Sequence, residues 1–126
     1  MKIDRIDHLV LTVADLDATI AFYCDVLGME AVTFGGGRRA LTFGHSKINL
    51  HEAGKEFSPY AAAPTPGSAD LCLIATVPVD TVAEELAQAG IPIEEGPVER
   101  TGATGVIRSV YLRDPDGNLI ELSEYL

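Results

Sequence analysis

Residues 6–28 read IDHLVLTVADLDATIAFYCDVLG and combine the pattern of a β-strand with that of an amphipathic helix. In an extended chain alternate side chains point to opposite faces, so one face of the strand carries His8 and Thr12 while the other is aliphatic. Asp15 has the side chain of an N-cap, and apolar residues then recur at helical spacing up to a glycine. This stretch therefore predicts a strand and then a helix over residues 16–27.

The rest of the chain repeats the same kinds of element. Three short β patterns separated by glycine turns follow the helix, at residues 30–34, 39–43 and 47–52. Residues 53–68 are rich in proline, glycine and alanine, which favours an irregular linker. The order then begins again, with a strand at residues 69–76, a helix at 78–89, and strands near 91–94, 106–113 and 118–124.

The two halves of the chain align with each other. An offset of 62 residues places His8 on Asp70, and an offset of 72 residues places 48–52 on 120–124. The difference between the offsets is absorbed by a predicted loop at residues 95–105. We therefore predict one α+β domain built by internal duplication, with module one at residues 6–52, a linker at 53–68 and module two at 69–126.

The composition and net charge of the chain argue against some classes of binding partner and some cellular locations. Nine basic and nineteen acidic residues give a net charge of −10, which repels nucleic acid and anionic membrane surfaces. The two cysteines lie in apolar periodic segments, which is typical of reduced thiols. No stretch approaches the roughly 20 apolar residues of a membrane span. These features predict a soluble cytoplasmic protein.

Polar residues on four of the predicted strands share one face. They are two imidazoles and two carboxylates, His8, His51, Asp70 and Glu121. Such a set suits a divalent metal bound through nitrogen and oxygen. Each residue alone is more simply read as an ordinary hydrogen-bonded or solvated side chain, but their symmetry-related positions favour a metal site.

Three motifs resemble those of the vicinal oxygen chelate superfamily. They are DHLVLTV at residues 7–13, FYCDVLGM at 22–29 and DPDGNLIEL at 114–122. That superfamily includes glyoxalase I, bleomycin resistance proteins, fosfomycin resistance enzymes and extradiol dioxygenases, and residues 48–57 with 64–73 look most similar to the glyoxalase-domain-containing protein 5 group. The resemblance implies two tandem βαβββ modules that form an eight-stranded, cup-shaped mixed sheet with helices on its outer face. It also implies a divalent metal ion (zinc, nickel, manganese or iron) and a homodimer.

The resemblance transfers two metal ligands directly. His8 matches the ligand on the family's first strand, and Glu121 matches the carboxylate on its last strand. Asp70 stands where glyoxalase I usually has histidine, and Asn49 stands where it usually has glutamate. A neutral amide is a poorer ligand for zinc or nickel than an imidazole, so we expect His51 to replace it. If Asn49 ligates instead, the site is rich in oxygen and suits manganese or magnesium better.

Three functions remain open from the sequence. The first is a lyase or isomerase of glyoxalase type, in which Glu121 moves a proton between neighbouring carbons of a substrate that chelates the metal through adjacent oxygens. The second is a metal-free protein of bleomycin-resistance type that sequesters a ligand. The third is an iron-dependent dioxygenase, whose facial triad would be His8, His51 and Glu121. Arg38 and Arg39 follow three glycines; we take Arg39 as a candidate contact for an anionic substrate, the alternative being a charged hairpin edge.

Overall fold

The computed structural model describes all of residues 1–126 and contains eight strands and two α-helices. The elements are β1 (His8–Val13), α1 (Leu16–Ala21) continued by a π-helical segment (Phe22–Val26), β2 (Glu30–Phe34), β3 (Arg38–Phe43), β4 (Ser46–Glu52), β5 (Asp70–Ile74), α2 (Val79–Gln88), β6 (Glu95–Thr101), β7 (Val106–Arg113) and β8 (Leu119–Tyr125). The predicted α+β class and the twofold βαβββ order are confirmed. Neither helix is long and apolar enough to cross a membrane.

The chain divides into two compact units, Met1–Gly67 and Ser68–Leu126, each with its own four-stranded mixed sheet. The strand order is β1-β4-β3-β2 in the first sheet and β5-β8-β7-β6 in the second. In each sheet the first strand runs parallel to the last strand of its unit, and the other pairs are antiparallel. The two units therefore have the same topology.

The strand register repeats as well as the topology. His8 pairs with Lys47 in the first sheet, and Asp70 pairs with Leu119 in the second. These pairs are related by the same offsets of 62 and 72 residues that align the two halves of the sequence. Equivalent positions in the two units consequently point to equivalent faces of their sheets.

The aliphatic faces predicted for the parallel strand pairs are mostly buried, with Leu9, Leu71 and Leu73 half-buried. In the first unit Leu11, Val13, Ile48 and Leu50 are at most 4% exposed. Helix α1, which packs near β4, starts at Asp15, whose Oδ1 accepts a hydrogen bond from the amide of Ala18 at 3.0 Å. The predicted N-cap is thus confirmed, and it satisfies one of the free amides of the first turn.

The second unit uses a different device to begin its helix. Helix α2 packs on β7 and β8 through Val79, Val82 and Leu86, all of them buried. Pro78 precedes the helix and has no side chain that can cap it, so the Glu124 carboxylate of β8 accepts the hydrogen bond from the amide of Val79. The helix is thereby fixed to the strand that also carries Glu121.

Strand β6 is where the sequence-based prediction was wrong. A strand was expected near residues 91–94 and a loop at 95–105, but the strand spans Glu95–Thr101 and includes Gly96 and Pro97. Proline is tolerated here because β6 is an edge strand, and the register shifts between Glu95 and Val98. Gly96 has φ of +102° and a Cβ there would lie 2.3 Å from the Ser109 carbonyl oxygen, so only glycine fits this bulge.

The turn before β8 aligns it with β5. The Asp114 carboxylate accepts hydrogen bonds from the amides of Asp116 and Asn118 and from the side-chain amide of Asn118, at 2.8–3.0 Å. The Asn118 side chain, 1% exposed, accepts in turn from the amide of Ala69 at 2.8 Å. The turn motif therefore has a structural role, since it sets the register that places Asp70 and Glu121 on one face.

Candidate metal and substrate site

The polar face of the first sheet carries most of the predicted site residues of that unit. Partnered residues in a parallel strand pair share a face, so His8 lies beside Lys47 and Thr12 lies beside His51. Asn49 lies between these two cross-strand pairs, opposite Val10. The parity predicted from the sequence is therefore correct for this strand pair.

His8 is oriented by its neighbour in the chain. Its Nδ1 lies 2.7 Å from Oδ1 of Asp7, and its side chain is 43% exposed. This hydrogen bond lowers the pKa of the Asp7 carboxyl, which is evidently held as a carboxylate. A carboxylate that accepts from one ring nitrogen fixes the tautomer in which the other nitrogen, Nε2, is a lone-pair donor. His8 thus has the arrangement that metal-binding histidines usually have.

Asn49 contains an unpaired oxygen. Its Oδ1 is buried and has no hydrogen-bond partner. Buried polar oxygens are almost always paired, and an amide oxygen is an ordinary ligand of hard divalent cations. Asn49 lies one strand over and two residues along from His8, which corresponds to a Cα separation of about 8 Å. The Asn49 oxygen and the His8 imidazole are therefore a pair that fits a cation.

His51 lies farther along the same face. His51 lies four residues beyond Lys47, the cross-strand partner of His8. This position corresponds to about 14 Å between the Cα atoms of His8 and His51. The His51 ring is 5% exposed and meets the Phe57 ring edge to face, with centroids 5.7 Å apart. Two ligands of one ion lie within about 4 Å of each other, because metal–ligand distances are about 2 Å. The first unit does not bring His8 and His51 together.

In the second unit, Glu121 belongs to a chain of hydroxyl groups. Its Oε2 accepts a hydrogen bond from Ser109 Oγ at 2.6 Å, and Ser109 Oγ lies 2.7 Å from Ser123 Oγ. Both serines are 0% exposed. They hold one carboxylate oxygen, Oε2, in place. The sequence analysis did not assign them this role, although their alternation on β7 and β8 with Tyr111 and Glu121 was a usable signal.

Tyr111 is the cross-strand partner of Glu121. Its phenol oxygen accepts a hydrogen bond from Arg100 Nε at 3.1 Å, and Arg100 also donates to Glu95 at 3.0 Å. Partial burial raises the pKa of Tyr111, and the Glu121 carboxylate raises it further, against the opposing effect of Arg100. The phenol is therefore protonated at neutral pH and lies next to the carboxylate.

Asp70 and Cys72 complete this face. Cys72 pairs with Glu121, and Asp70 is exposed two residues earlier on β5. Asp70 and Glu121 are thus separated by about 8 Å between Cα atoms, the same spacing as His8 and Asn49. Burial, together with the charges of Glu121 and Asp70, raises the pKa of the Cys72 thiol, while its contact with Ser123 opposes the change. Cys72 therefore stays a thiol at neutral pH.

The two arginines of β3 point to opposite faces. Arg39 pairs with Leu50 and lies on the aliphatic face, where its Nε is buried without a hydrogen-bond partner. Arg38 pairs with Phe34 and shares the face of Asn49. Its guanidinium carbon lies 5.8 Å from the centre of the Phe34 ring and 4.8 Å from that of Phe57.

Nowhere in residues 1–126 do three or more His, Cys, Asp or Glu side chains form a group that could hold a metal ion. Of the four predicted ligands, His8 and His51 belong to the first unit and Asp70 and Glu121 to the second. In each unit one pair at the short diagonal spacing fits a cation: His8 with Asn49, and Asp70 with Glu121. The ligand set remains a prediction.

Comparisons with known proteins found a matching family, similar sequences and similar structures. The model of the Glyoxalase/Bleomycin resistance protein/Dioxygenase superfamily matches residues 5–122. Virulence protein STM3117 of Salmonella typhimurium is 64% identical over all of this chain and 88% of its own length, and its crystal structure superposes with a TM-score of 0.98 over 100% of both chains. Glyoxalase domain-containing protein RDO1 of Mycosarcoma maydis is 54% identical over 99% of this chain and 70% of its own. The crystal structure of lactoylglutathione lyase from Agrobacterium tumefaciens is 28% identical, with a TM-score of 0.75 over 98% of this chain and 95% of the other.

Proposed function

This chain belongs to the glyoxalase/bleomycin resistance protein/dioxygenase superfamily, and we propose that it is a divalent-metal-dependent lyase or isomerase of glyoxalase type. Its substrate would be a small molecule that presents two adjacent oxygens to the ion. The observation that carries the proposal is the unpaired, buried oxygen of Asn49 at the short diagonal spacing from an imidazole that Asp7 already orients. The similarity to lactoylglutathione lyase supports this class of reaction.

The proposed ligands are His8, Asp70 and Glu121, with either Asn49 or His51 as the fourth. His51 has the stronger ligand group for zinc, nickel or iron. Spacing and the unpaired oxygen both support Asn49. One imidazole with three oxygen ligands is a set that suits manganese among the metals considered.

The chemistry of the site would divide between the ion and the protein. A bound divalent cation polarises the two substrate oxygens and stabilises negative charge that develops on them. Glu121 would take a proton from the carbon beside these oxygens and return it to the neighbouring carbon, so no atom is gained or lost. The Ser109 hydroxyl would hold one oxygen of Glu121 in place during this transfer. The Tyr111 phenol is protonated and lies next to Glu121, so it can donate a hydrogen bond to that carboxylate.

The fourth ligand can be identified by comparing two variants on the same strand. We expect Asn49→Ala to weaken divalent-metal binding by about ten- to a hundredfold, a loss typical for removal of a contributing oxygen ligand or its support. His51→Ala should change metal affinity by less than about threefold, because His51 lies beyond the reach of an ion bound to His8. Titration calorimetry with Mn²⁺ and Zn²⁺ measures both. The opposite ranking would restore His51 as the ligand.

A metal-free ligand-binding protein is the second candidate function. The half-buried Phe34 and Arg38 and the exposed Phe57 of the first unit favour it, because aromatic and cationic groups bind a ligand without any ion. Elemental analysis of protein purified without added metals separates the two candidates. A metal content near one ion per chain supports the enzyme, and metal-free protein that binds an aromatic compound tightly supports the alternative. An iron dioxygenase is less well supported, since its triad requires both His8 and His51 at one ion.

We also propose that the protein is a homodimer. Each sheet has two edge strands, and apolar side chains of Ile3, Ile6 and Val10 are 46–81% exposed along and before the edge strand β1. A two-fold partner that covers such an edge removes both the unpaired backbone groups and the apolar surface from water. Light scattering at micromolar concentration should give twice the chain mass of 13.4 kDa. A mass equal to one chain would reject the dimer.

A further inference from the structure

Most basic side chains of this acidic protein are neutralised by a carboxylate, but those of the β3–β4 hairpin are not. Five of the nine are in ion pairs: Arg5, Lys55, Arg100, Arg108 and Arg113. The other four are Lys2 and three residues of the hairpin, Arg38, Arg39 and Lys47. Arg38 and Lys47 form neither an ion pair nor a hydrogen bond, although the chain has nineteen acidic residues. Two unpaired cations on one face of an anionic protein need a physical reason.

The two cations lie on the same aromatic ring. Lys47 Nζ is 4.0 Å from the centre of the Phe34 ring, and the Arg38 guanidinium carbon is 5.8 Å from it. Arg38 also lies 4.8 Å from the Phe57 ring. All these side chains except Phe57 come from the polar face of the first sheet, and Phe57 comes from the segment after β4. The cations are thus collected at one place within the first unit.

Contact with an aromatic face leaves the donors of these cations available. A guanidinium has five N–H groups and an ammonium has three, and stacking on a ring uses none of them as a hydrogen bond. Both residues are only half-buried, so their donors reach solvent. Long basic side chains often cover apolar surface in this way. That ordinary explanation accounts for the ring contacts but not for two like charges near one ring, neither of which is in an ion pair, since like charges at this distance repel.

The position of Lys47 connects this group to the proposed metal site. Lys47 is the cross-strand partner of His8 and lies on the same face. A ligand whose paired oxygens reach an ion on His8 and Asn49 would therefore have its next few atoms beside Lys47 and the Phe34 ring. The face of Asn49 also carries Arg38, through the register of β2 and β3.

We propose that Arg38 and Lys47 form a subsite for an oxyanion group of the substrate, a carboxylate or a phosphate, with Phe34 and Phe57 against its apolar part. The inference rests on the proposed function for its substrate, which is then a small organic anion that carries a charged group in addition to its two chelating oxygens. Arginine and lysine beside an aromatic wall provide the charge-assisted hydrogen bonds that such a group requires. The strong negative charge of the rest of the chain makes this place the favourable one for an anion.

The test measures anion binding separately from metal binding. Full-length protein, both as purified and after treatment with a chelator, is titrated with inorganic phosphate and with succinate while backbone and arginine side-chain resonances are followed by NMR. We expect saturable shifts at Arg38 and Lys47 in both preparations, and at least tenfold weaker binding in the Arg38→Gln/Lys47→Gln double variant, as expected for loss of hydrogen bonds to a charged group. Tighter binding of phosphate or of succinate identifies which oxyanion the subsite prefers.

A matched control removes the same charge elsewhere. The Lys55→Gln/Arg108→Gln double variant lowers the net charge equally, but at residues that already have carboxylate partners, and it should bind the anions within about twofold of the unmodified chain. Equal losses in the two double variants would mean a nonspecific effect of charge and would overturn the subsite. A larger loss in Arg39→Gln than in the Arg38→Gln/Lys47→Gln variant would also overturn it. If the protein binds no metal but the anion results are as expected, the proposed function is rejected and the subsite is retained.

Discussion

Replacement of His8 or Glu121 by alanine should lower the affinity of the protein for divalent metal by more than about 100-fold. Both side chains are proposed to ligate the ion directly, whereas loss of a supporting residue usually costs about ten- to a hundredfold. Neither residue belongs to a buried aliphatic face, so the fold should survive the changes. Metal content by mass spectrometry after reloading with Mn²⁺ or Zn²⁺, with circular dichroism as a check on folding, measures the effect.

Two comparisons make this experiment specific. Asp7→Asn keeps His8 but weakens the carboxylate that orients it, so its loss of affinity should lie between those of the unmodified protein and His8→Ala. Metal affinity of the unmodified protein should also fall as the pH drops through the range in which imidazole is protonated, because only the neutral ring binds a metal. The His8→Ala variant should lose most of this pH dependence. Full metal occupancy in both alanine variants would reject the metal site.

Replacement of Ile120 by alanine should lower the free energy of unfolding by about 2–5 kcal/mol, the usual cost of emptying a fully buried aliphatic site. Ile120 is 0% exposed and lies on the β8 face that packs toward helix α2. Glu121 is the next residue along β8 and points to the opposite face of the sheet, so the two adjacent positions test opposite roles. Urea denaturation monitored by circular dichroism provides the measurement.

Ile74→Ala is the matched control for this prediction. Ile74 is the same residue type on β5, but it is 52% exposed and lies on the face of Cys72. Its removal should cost well under half as much as that of Ile120, because less apolar surface returns to water. Equal costs at the two positions would show that the buried and polar faces of the second sheet have been assigned the wrong way round.

Local patterns were sufficient for most of the fold. Alternation along β1 and β4 predicted which side chains face the core, and Asp15 predicted the start of α1, because both depend on neighbours in the chain. Strand β6 was missed for the opposite reason. Pro97 within this strand is typical of a loop when only the sequence is considered. It is accommodated because β6 is an edge strand that pairs with β7 through a bulge.

For the candidate site, the sequence by itself determined which side chains share a face, since the two-residue period of a strand is a local property. It identified His8, Asn49, His51 and Glu121 on polar faces, and it favoured His51 over Asn49 on ligand chemistry alone, because both have the same parity. The tertiary structure supplies the register of β1 with β4, which puts Asn49 nearer to His8 and His51 against Phe57, and this supports Asn49 as the proposed fourth ligand. It likewise separated Arg38 from Arg39 and brought Lys47 and Arg38 to one ring, because cross-strand pairing joins residues that no spacing along the chain relates.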